Sequence, residues 1–280
     1  EAAMKRQAEL QDKIDALSKL TAPFILRRTK KQVAADLPPK TESIMWCTMS
    51  QEQQDAYEYI KVRIRNSIFL QIKNEGFSGS KMGILAGITK LKQICDSPQL
   101  VQDAEIGTAK SVKMERLLNE LENNLQGNKV LVFSQFNSML KSLAEEVIKR
   151  NINYFHLSGE TPIEKRAQMI DEFQSEQSHT TIFLLSLKAG NVGITLTAAD
   201  YVFLLDPWWN TAIEQQAIDR THRIGQDKHV FAYKMICKNT IEEKIIQLQS
   251  KKQFVSNELI KEEDGFVKQL SEEDIAFLLE

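Results

Sequence analysis

Two arginines close together in the last third of the chain are the residues best suited to do chemistry. They lie in Gln216-Ala-Ile-Asp-Arg-Thr-His-Arg-Ile-Gly-Gln226, which predicts a short helix that runs out into a glycine turn. At helical spacing Gln216, Arg220 and Arg223 share one face. Two guanidiniums held so close repel each other unless an anion lies between them, and a triphosphate suits their planar, permanently charged forks. A solvated, charged helix end is the alternative interpretation, because basic residues are common near helix C-termini.

The residues before this segment predict two buried strands joined by a loop that contains glycine. The apolar runs 180–186 and 201–205 are short and hydrophobic on both faces, which is typical of buried parallel strands. Glycines in the loop between them let the backbone approach a ligand closely, although glycines also occur in ordinary turns. The candidate nucleotide-binding residues are Gly190, Gly193, Gln216, Asp219, Arg220 and Arg223.

The order of these segments resembles that of helicase superfamily two. Lys188–Asp200 resembles its motif V, Gln216–Gln226 its motif VI and Lys129–Phe136 its motif IV. The ending His-Arg-Ile-Gly-Gln is characteristic of the Swi/Snf-type DNA translocases within that superfamily. Three further segments that resemble the family occur in the expected order, namely Phe24–Lys30, Asp36–Lys40 and Leu91–Pro98. The chain therefore resembles the C-terminal motor lobe of such a translocase over nearly its whole length.

Two positions depart from the family pattern. Ser97 stands where the family usually has His before the proline of Leu91–Pro98, and Thr211 follows Asn210 where the family usually has Pro. Neither departure involves the arginines. The second means that the resemblance does not fix the conformation after Trp209.

The parts of a phosphate-cradling motor lobe are missing from this sequence. It contains no Gly-x-x-x-x-Gly-Lys-Ser/Thr loop and no strand that ends in an Asp-Glu pair for magnesium. We therefore predict that the chain alone does not hydrolyse ATP. By resemblance, Arg220 and Arg223 are the catalytic residues and act as arginine fingers on ATP. The expected Mg²⁺ is held mainly by an N-terminal RecA-like lobe of the same protein.

A DNA track is expected along the loops at one edge of the sheet. Hydroxyl, amide and backbone groups there can bind phosphate oxygens without reading sequence, and a tryptophan can wedge or stack. Core packing is the alternative for both tryptophans; we predict packing for Trp208 and DNA contact for Trp209. Phe133 is expected to be buried. The DNA-binding residues predicted by resemblance are Ser134, Gln135, Phe136, Lys188, Ala189, Asn191 and Trp209.

Composition limits the class of protein. The 280 residues, 42% hydrophobic and 26% charged, are typical of a soluble globular protein of about two domains. The net charge of −2 means that any DNA contact must come from a local basic and polar track. Three widely spaced cysteines and four histidines form no disulfide framework and no metal-ligand pattern, so we predict a reducing compartment and no metal site in this chain. No apolar run is long enough for a membrane helix.

The chain before residue 110 predicts helices and a stiff connector. Residues 1–35 have helical spacing, and a basic cluster at Arg27, Arg28, Lys30 and Lys31 is either a solvated helix face or a DNA-backbone contact. Pro38-Pro39 is the stiff connector, and by resemblance it belongs to the linker between two motor lobes. Next along the chain we expect a strand at 43–47, then helices at 51–72 and 82–94 with a break at 77–80. The two helices resemble the family's helical protrusion.

From residue 111 the pattern alternates between helix and strand, which indicates an α/β layer fold with a mainly parallel sheet. The resemblance makes this a RecA-like three-layer domain, the second motor lobe, with the helical protrusion and a C-terminal helix added. The expected helices are 112–125, 138–149, 162–173 and 240–261, and the expected strands 130–133, 154–157, 182–185, 201–205 and 230–236. The tail 262–280 is acidic, and its amphipathic end is expected either to pack back on the fold or to bind a partner.

The resemblance implies four parts. These are residues 1–40, the end of the first lobe and the linker; 41–108, the start of the second lobe with its protrusion; 109–250, the RecA-like helicase C-terminal lobe; and 251–280, a brace helix and tail. An RNA helicase lobe and a non-enzymatic docking module remain alternatives to the DNA translocase. Expected partners are double-stranded DNA, the N-terminal lobe and a DNA-bound protein such as RNA polymerase or a nucleosome, with no membrane. The expected location is the cytoplasm or nucleoid in a prokaryote and the nucleus in a eukaryote.

Overall fold

The computed structural model describes residues 37–103, 106, 109–187, 194–252 and 270–280. Several predicted features therefore lie outside the described residues: the helices before residue 36, the basic cluster Arg27–Lys31, the first part of motif V (188–193) and the last helix beyond residue 252. The chain separates into a unit of residues 1–37 and a unit of residues 38–280. Every described helix and strand belongs to the second unit, and the finer domain boundaries stay predictions.

Six parallel strands form one sheet in the described part of the chain. Their order is β1-β6-β5-β2-β4-β3, with every neighbouring pair parallel. The predicted α/β fold with a mainly parallel sheet is confirmed. The strands are β1 (Lys40–Cys47), β2 (Val130–Ser134), β3 (Tyr154–Leu157), β4 (Ile182–Ser186), β5 (Tyr201–Leu204) and β6 (Val230–Cys237).

Helices lie between most of the successive strands, since parallel pairing requires long crossover connections. They are α1 (Gln51–Gly79), α2 (Lys81–Asp96), α3 (Val112–Asn123), α4 (Asn137–Lys149), α5 (Ile163–Gln174), α6 (Thr211–Ile218), α7 (Ile241–Lys252) and α8 (Glu272–Leu279), with a short 3-10 turn at Pro98–Leu100. Side chains at the helix starts support several of these boundaries. Ser50 and Ser111 accept hydrogen bonds from the first turns of α1 and α3, at 3.2 and 3.1 Å.

The core has two hydrophobic clusters, one on each face of the sheet. Alternate residues of β2 belong to different clusters: Val130 and Val132 to one, Leu131 and Phe133 to the other. Alternation follows from the two-residue period of a strand. The first cluster includes buried residues of α1, α2, α3, α4, α7 and α8, and the second includes those of α5 and α6. This is the predicted three-layer arrangement, and Phe133 is buried as predicted.

The helix α1 is longer than the sequence predicts. We expected a break at 77–80, whereas α1 extends to Gly79 with a kink at Gly76, where φ is 74° and ψ is 166°. A left-handed φ of this kind favours glycine. The backbone nitrogen of Ser80 donates to the Gly76 carbonyl at 3.2 Å, so the kinked turn still closes. The helices α1 and α2 pack closely at Gly87, where an added Cβ would lie 2.6 Å from Ile64 Cγ2.

The described end of the acidic tail, residues 270–280, packs back on the fold, the first of the two predicted outcomes. Ile275, Leu278 and Leu279 of α8 are at most 1% exposed and belong to the larger core cluster. Ser271 caps this helix in a reciprocal capping box with Asp274. Lys61 Nζ donates to the Glu280 carbonyl oxygen at 3.3 Å and so joins the tail to α1.

Candidate nucleotide and nucleic-acid site

The arginine segment begins as a helix but does not continue as one. The helix α6 ends at Ile218, so Arg220 and Arg223 lie in the turns after it, and Gly225 has a φ of 98°. The prediction that Gln216 shares one continuous helical face with both arginines is therefore wrong. The physical reason is local: the Thr221 hydroxyl donates to the Ile218 carbonyl at 2.7 Å and the Thr221 backbone nitrogen donates to it at 3.1 Å, which leaves the helical bond from the His222 nitrogen long, at 3.4 Å. A side chain that takes this carbonyl competes with continuation of the helix.

The two guanidiniums are close enough to influence each other. Arg220 is only 5% exposed, and burial, followed by the positive charge of Arg223, holds the pKa of its guanidinium below the usual value. Arg220 Nη1 donates to the Ile194 carbonyl at 3.4 Å, and Arg223 Nη1 donates to Thr195 Oγ1 at 3.3 Å. The buried Nε of Arg220 has no hydrogen-bond partner among the residues the structure describes. A buried cation with an unused donor beside a second cation is suited to an anionic ligand.

The end of motif V lies against the arginine segment. The backbone nitrogen of Leu196 donates to the Arg220 carbonyl at 2.9 Å. Gln226 Nε2 donates to the carbonyls of Ala199 at 2.9 Å and Thr221 at 3.1 Å, so its one amide joins both segments. We call residues 194–200 the motif V end. The motif V end contacts the two arginines through backbone and hydroxyl groups. These contacts therefore do not neutralise the guanidinium charges.

The end of the predicted linker also contacts the arginine segment. His222 Nε2 donates to the Pro38 carbonyl at 2.8 Å. Lys40 Nζ donates to Gln215 Oε1 at 3.2 Å and lies 3.9 Å from Asp219 Oδ1. Sequence reasoning missed these contacts, because nothing in the spacing relates residues so far apart. The chain that enters β1 is thus tied to the turns that carry both arginines.

The remaining predicted nucleotide-binding residues divide into two groups. Gln216 is exposed, and Asp219 is half-buried beside Lys40. Gly190 and Gly193 lie outside the described residues. Asp219 therefore lies in the same turns as the arginines. Gln216 does not share a helical face with them, because α6 ends before Arg220.

Three adjacent strands end at the edge where DNA contact is predicted. In the order β5-β2-β4, Ser134 of β2 is level with Ser186 of β4. Asp206, just after β5, accepts a hydrogen bond from Ser134 Oγ at 2.5 Å and one from the backbone nitrogen of Gln135 at 3.1 Å. Asp206 therefore fixes the turn that the sequence predicts to contact phosphate, a role that sequence reasoning did not assign to it.

The predicted DNA-contacting residues of this edge differ in exposure. Ser134 is fully buried with its hydroxyl engaged by Asp206, whereas Gln135 and Phe136 are half-buried. The residues predicted from motif V, which are Lys188, Ala189 and Asn191, lie outside the described residues. DNA contact by any of these residues stays a prediction.

The two neighbouring tryptophans pack into opposite faces of the fold. Trp208 is 6% exposed in the smaller core cluster, which confirms its predicted packing role. Trp209, expected at the surface, is 4% exposed in the larger cluster, and Lys92 Nζ lies 5.4 Å from its ring centroid. The physical reason is that both faces of the sheet are covered by helices: the two rings, which follow the end of β5 at Leu204, each pack into the cluster on a different face. The DNA contact of Trp209 stays a prediction, and its ring would have to leave the core cluster to make it.

A buried ion cluster contacts the chain at the end of β5, next to the edge where DNA contact is predicted. Lys113 Nζ, which is completely buried, donates to Asp96 Oδ1 at 2.8 Å, Glu242 Oε1 at 2.6 Å and the Leu205 carbonyl at 2.5 Å. Burial lowers the Lys113 pKa, but the charges of Asp96 and Glu242 outweigh it and raise that pKa well above its ordinary value. Leu205 precedes Asp206, so the cluster ties α2, α3 and α7 to the turn beside Ser134. The sequence signal for it was a lysine at helical spacing from Leu117 and Leu121 on an apolar stripe.

The part of the chain that the structure describes contains neither a candidate metal centre nor a candidate membrane span. Within the described ranges, His, Cys, Asp and Glu form no group of three or more that could hold a metal ion. The helices in those ranges also include none whose length and hydropathy would let it cross a bilayer.

Comparison with known protein families agrees with the arrangement of the sheet. Residues 112–225 match the helicase conserved C-terminal domain, and residues 2–100 match the SNF2-related domain. These matches define the class of the chain as a helicase C-terminal domain preceded by a match to an SNF2-related domain.

Similar proteins include bacterial and eukaryotic ATPases. An uncharacterised ATP-dependent helicase of Mycoplasma genitalium is 36% identical over 266 residues, which are 94% of this chain and 25% of that protein. The ISWI chromatin-remodeling complex ATPase of Saccharomyces cerevisiae is 35% identical over 257 residues, 87% of this chain and 22% of that protein. The chain thus spans about a quarter of the length of the curated relatives it matches.

Two solved structures carry the same fold. The SWI2/SNF2 ATPase C-terminal domain of Sulfolobus solfataricus has a TM-score of 0.68 at 31% identity, covering 85% of this chain and 97% of that one. The Sulfolobus SWI2/SNF2 ATPase core in complex with double-stranded DNA has a TM-score of 0.69 at 34% identity, covering 94% and 55%. The chain belongs to the SWI2/SNF2 family of ATPases, and its described residues correspond to the C-terminal RecA-like lobe.

Proposed function

We propose that this chain is the C-terminal motor lobe of an ATP-dependent double-stranded-DNA translocase or remodeller. In this proposal Arg220 and Arg223 complete an ATP site whose other half is an N-terminal RecA-like lobe of the same protein. The observation that carries the proposal is the arginine pair itself. Arg220 is buried with a lowered pKa and an unused Nε donor among the described residues, and Arg223 is the cation that adds to this shift.

The chemistry depends on the charge that develops on a transferred phosphoryl group. Guanidiniums held at fixed positions stabilise that charge as it forms, and an arginine finger contributes about 10³–10⁵ in kcat. In this chain the contacts of the Arg220 backbone and of Arg223 Nη1 with the motif V end limit the freedom of both side chains. ATP turnover would then depend on closure of the two lobes, which brings these cations to the γ-phosphate.

Magnesium belongs to the other lobe in this proposal. The described residues of this chain offer no cluster of carboxylates that fits the ion. In this proposal the isolated lobe, without the residues that hold the ion, is inactive as an ATPase.

The DNA track is proposed at the loops after β2, β4 and β5. In the parallel sheet these three strands are neighbours and end at the same edge, which supports a single continuous surface. The similar Sulfolobus ATPase core was solved in complex with double-stranded DNA, which favours duplex DNA as the nucleic acid. Backbone and amide groups of Gln135 and Phe136, together with the motif V residues, would bind phosphate oxygens.

The arginine assignment is tested in a protein that carries the chain behind a complete N-terminal lobe. Arg220→Ala and Arg223→Ala are each expected to lower DNA-stimulated ATP turnover by about 10³-fold or more while DNA affinity stays nearly unchanged. Arg116→Ala is the matched control, because that arginine is exposed on α3, and its side chain is 52% accessible. Normal hydrolysis by both finger variants would refute the assignment.

The nucleic-acid class is tested in the same protein. Duplex DNA is expected to stimulate ATP hydrolysis, and single- or double-stranded RNA of the same length is not. Equal stimulation by RNA would favour an RNA helicase lobe instead. Turnover at background level with every nucleic acid would favour a non-enzymatic docking module.

A further inference from the structure

Gln174 is the last residue of α5, and both the nitrogen and the oxygen of its side-chain amide form hydrogen bonds with the motif V end. Its Nε2 donates to Thr197 Oγ1 at 3.1 Å, and its Oε1 accepts from the backbone nitrogen of Ala198 at 2.9 Å. An amide that bonds two adjacent residues in this way fixes the position and also the orientation of their backbone. We call this pair of contacts the Gln174 clamp.

The same short segment is held on its other side by the arginine residues. The backbone nitrogen of Leu196 donates to the Arg220 carbonyl at 2.9 Å, and Thr195 Oγ1 accepts from Arg223 Nη1 at 3.3 Å. The motif V end therefore lies between α5 and the arginine segment. A displacement of Thr197 and Ala198 would be transmitted through one or two residues to the groups that touch both arginines.

We propose that Gln174 is a positioning residue for Arg220 and Arg223, acting through the motif V end. This inference rests on the proposed function, because it assigns Gln174 a part in placing the two arginine fingers. Its physical basis is the sensitivity of catalysis to geometry: a misplacement of about 1 Å can lower a rate by about 100-fold. Gln174 itself would not touch the nucleotide.

Three substitutions separate the clamp from the volume of the side chain. Gln174→Met keeps the length of the side chain and removes both hydrogen bonds. Gln174→Glu keeps both, because a carboxylate accepts from the Ala198 amide and from the Thr197 hydroxyl, which can donate as well as accept. Gln177→Met is the matched control, since Gln177 is exposed three residues further along the chain.

The clamp is tested first in this chain alone by amide hydrogen exchange. Gln174→Met is expected to speed exchange at Ala198 severalfold, whereas Gln174→Glu and Gln177→Met leave it close to the wild-type rate. Thr197→Val, which removes one of the two bonds with little change in shape, is expected to act in the same direction if Gln174→Met fails to fold. Unchanged exchange at Ala198 in a folded Gln174→Met protein would overturn the proposal.

The consequence for catalysis is tested with the chain behind a complete N-terminal lobe. Gln174→Met is expected to lower the DNA-stimulated kcat for ATP on the order of tenfold or more, with the KM for ATP changed by less than about twofold. Gln174→Glu should restore most of the rate, which a merely structural loss would not allow. If Gln174→Met has a wild-type kcat while the Arg220 and Arg223 variants are inactive, the positioning role of Gln174 is refuted and the proposed function stands. Active arginine variants would instead sink the proposed function.

Discussion

Replacing Lys113 by methionine should destabilise this lobe more than any conservative surface change. The Lys113 side chain is 0% exposed, and its Nζ lies within 2.8 Å of acceptors on Asp96, Glu242 and Leu205. Methionine fits the volume but leaves two buried carboxyl groups and one carbonyl without their cation. Removing one partner of a buried ion pair destabilises a protein by about 3–5 kcal/mol.

The expected change in melting temperature depends on the size of the unit. One kcal/mol shifts Tm by about 2–4 °C for a domain of about 150–250 residues, so Lys113→Met should lower Tm by about 6–20 °C. The assay is thermal and urea unfolding of the chain followed by circular dichroism. Lys110→Met is the matched control, because its side chain is 84% exposed three residues away, and it should change stability by less than about 0.5 kcal/mol.

The pH dependence of the same variant gives an independent check. Burial raises the pKa of Asp96 and that of Glu242 even in the wild-type protein, and loss of the Lys113 charge raises both further. A carboxyl group with a raised folded-state pKa destabilises the fold as pH rises through its unfolded-state value, which is ordinarily about 4. The penalty of Lys113→Met should therefore shrink as pH falls towards 4. A penalty equal to that of Lys110→Met at neutral pH would refute the reasoning.

Two further predictions concern single titratable groups. Burial raises the pKa of the Cys47 thiol to about 12, so at pH 9 iodoacetamide should label Cys47 in the folded chain far more slowly than in urea, as read by mass spectrometry. Burial, with a contribution from Lys141, lowers the pKa of His156 below its ordinary 6.5. The unfolded chain then takes up that proton first, so wild-type stability should fall as pH drops through 6.5 and below; urea titrations of His156→Gln should show a smaller fall.

The strands β2, β4 and β5 could be predicted from the sequence because each is a short apolar run, whereas β1 begins at Lys40, three residues before its predicted start, because its first residues are polar and mostly exposed. Both faces of a covered parallel sheet are buried; β2 and β4 are hydrophobic at every position except their last residue, a serine, and β5 is hydrophobic throughout. The strand β3 was predicted with its observed ends, Tyr154 and Leu157. The predicted C-terminal end of α1 was wrong by several residues. The reason is Gly76, because a glycine that bends a helix and a glycine that ends one look the same in a sequence.

The candidate site was less predictable than the fold. The arginines were found from their spacing and from the resemblance, yet α6 ends before them, because the Thr221 hydroxyl takes the carbonyl of Ile218. Helical periodicity carries no information on which side chain will take a backbone carbonyl. Lys113 was missed for the opposite reason: its position on an apolar stripe was visible, but its acidic partners lie on α2 and α7, far away in sequence.

The contacts around the arginine segment suggest why the two arginines are positioned by neighbouring segments and not by a helix of their own. Arg220 and Arg223 lie in turns, which lack the rigidity of a helix, and their position depends on neighbours. Those neighbours are the linker end at Pro38, the motif V end, and Gln174 beyond it. In the proposed function the first two belong to parts that move or bind, namely the linker between the lobes and a DNA-contacting loop, and Gln174 is the last residue of α5, which holds this loop through two hydrogen bonds. An arginine pair held by these three parts would respond to lobe closure and DNA binding together, because a shift in any of them moves the same turns.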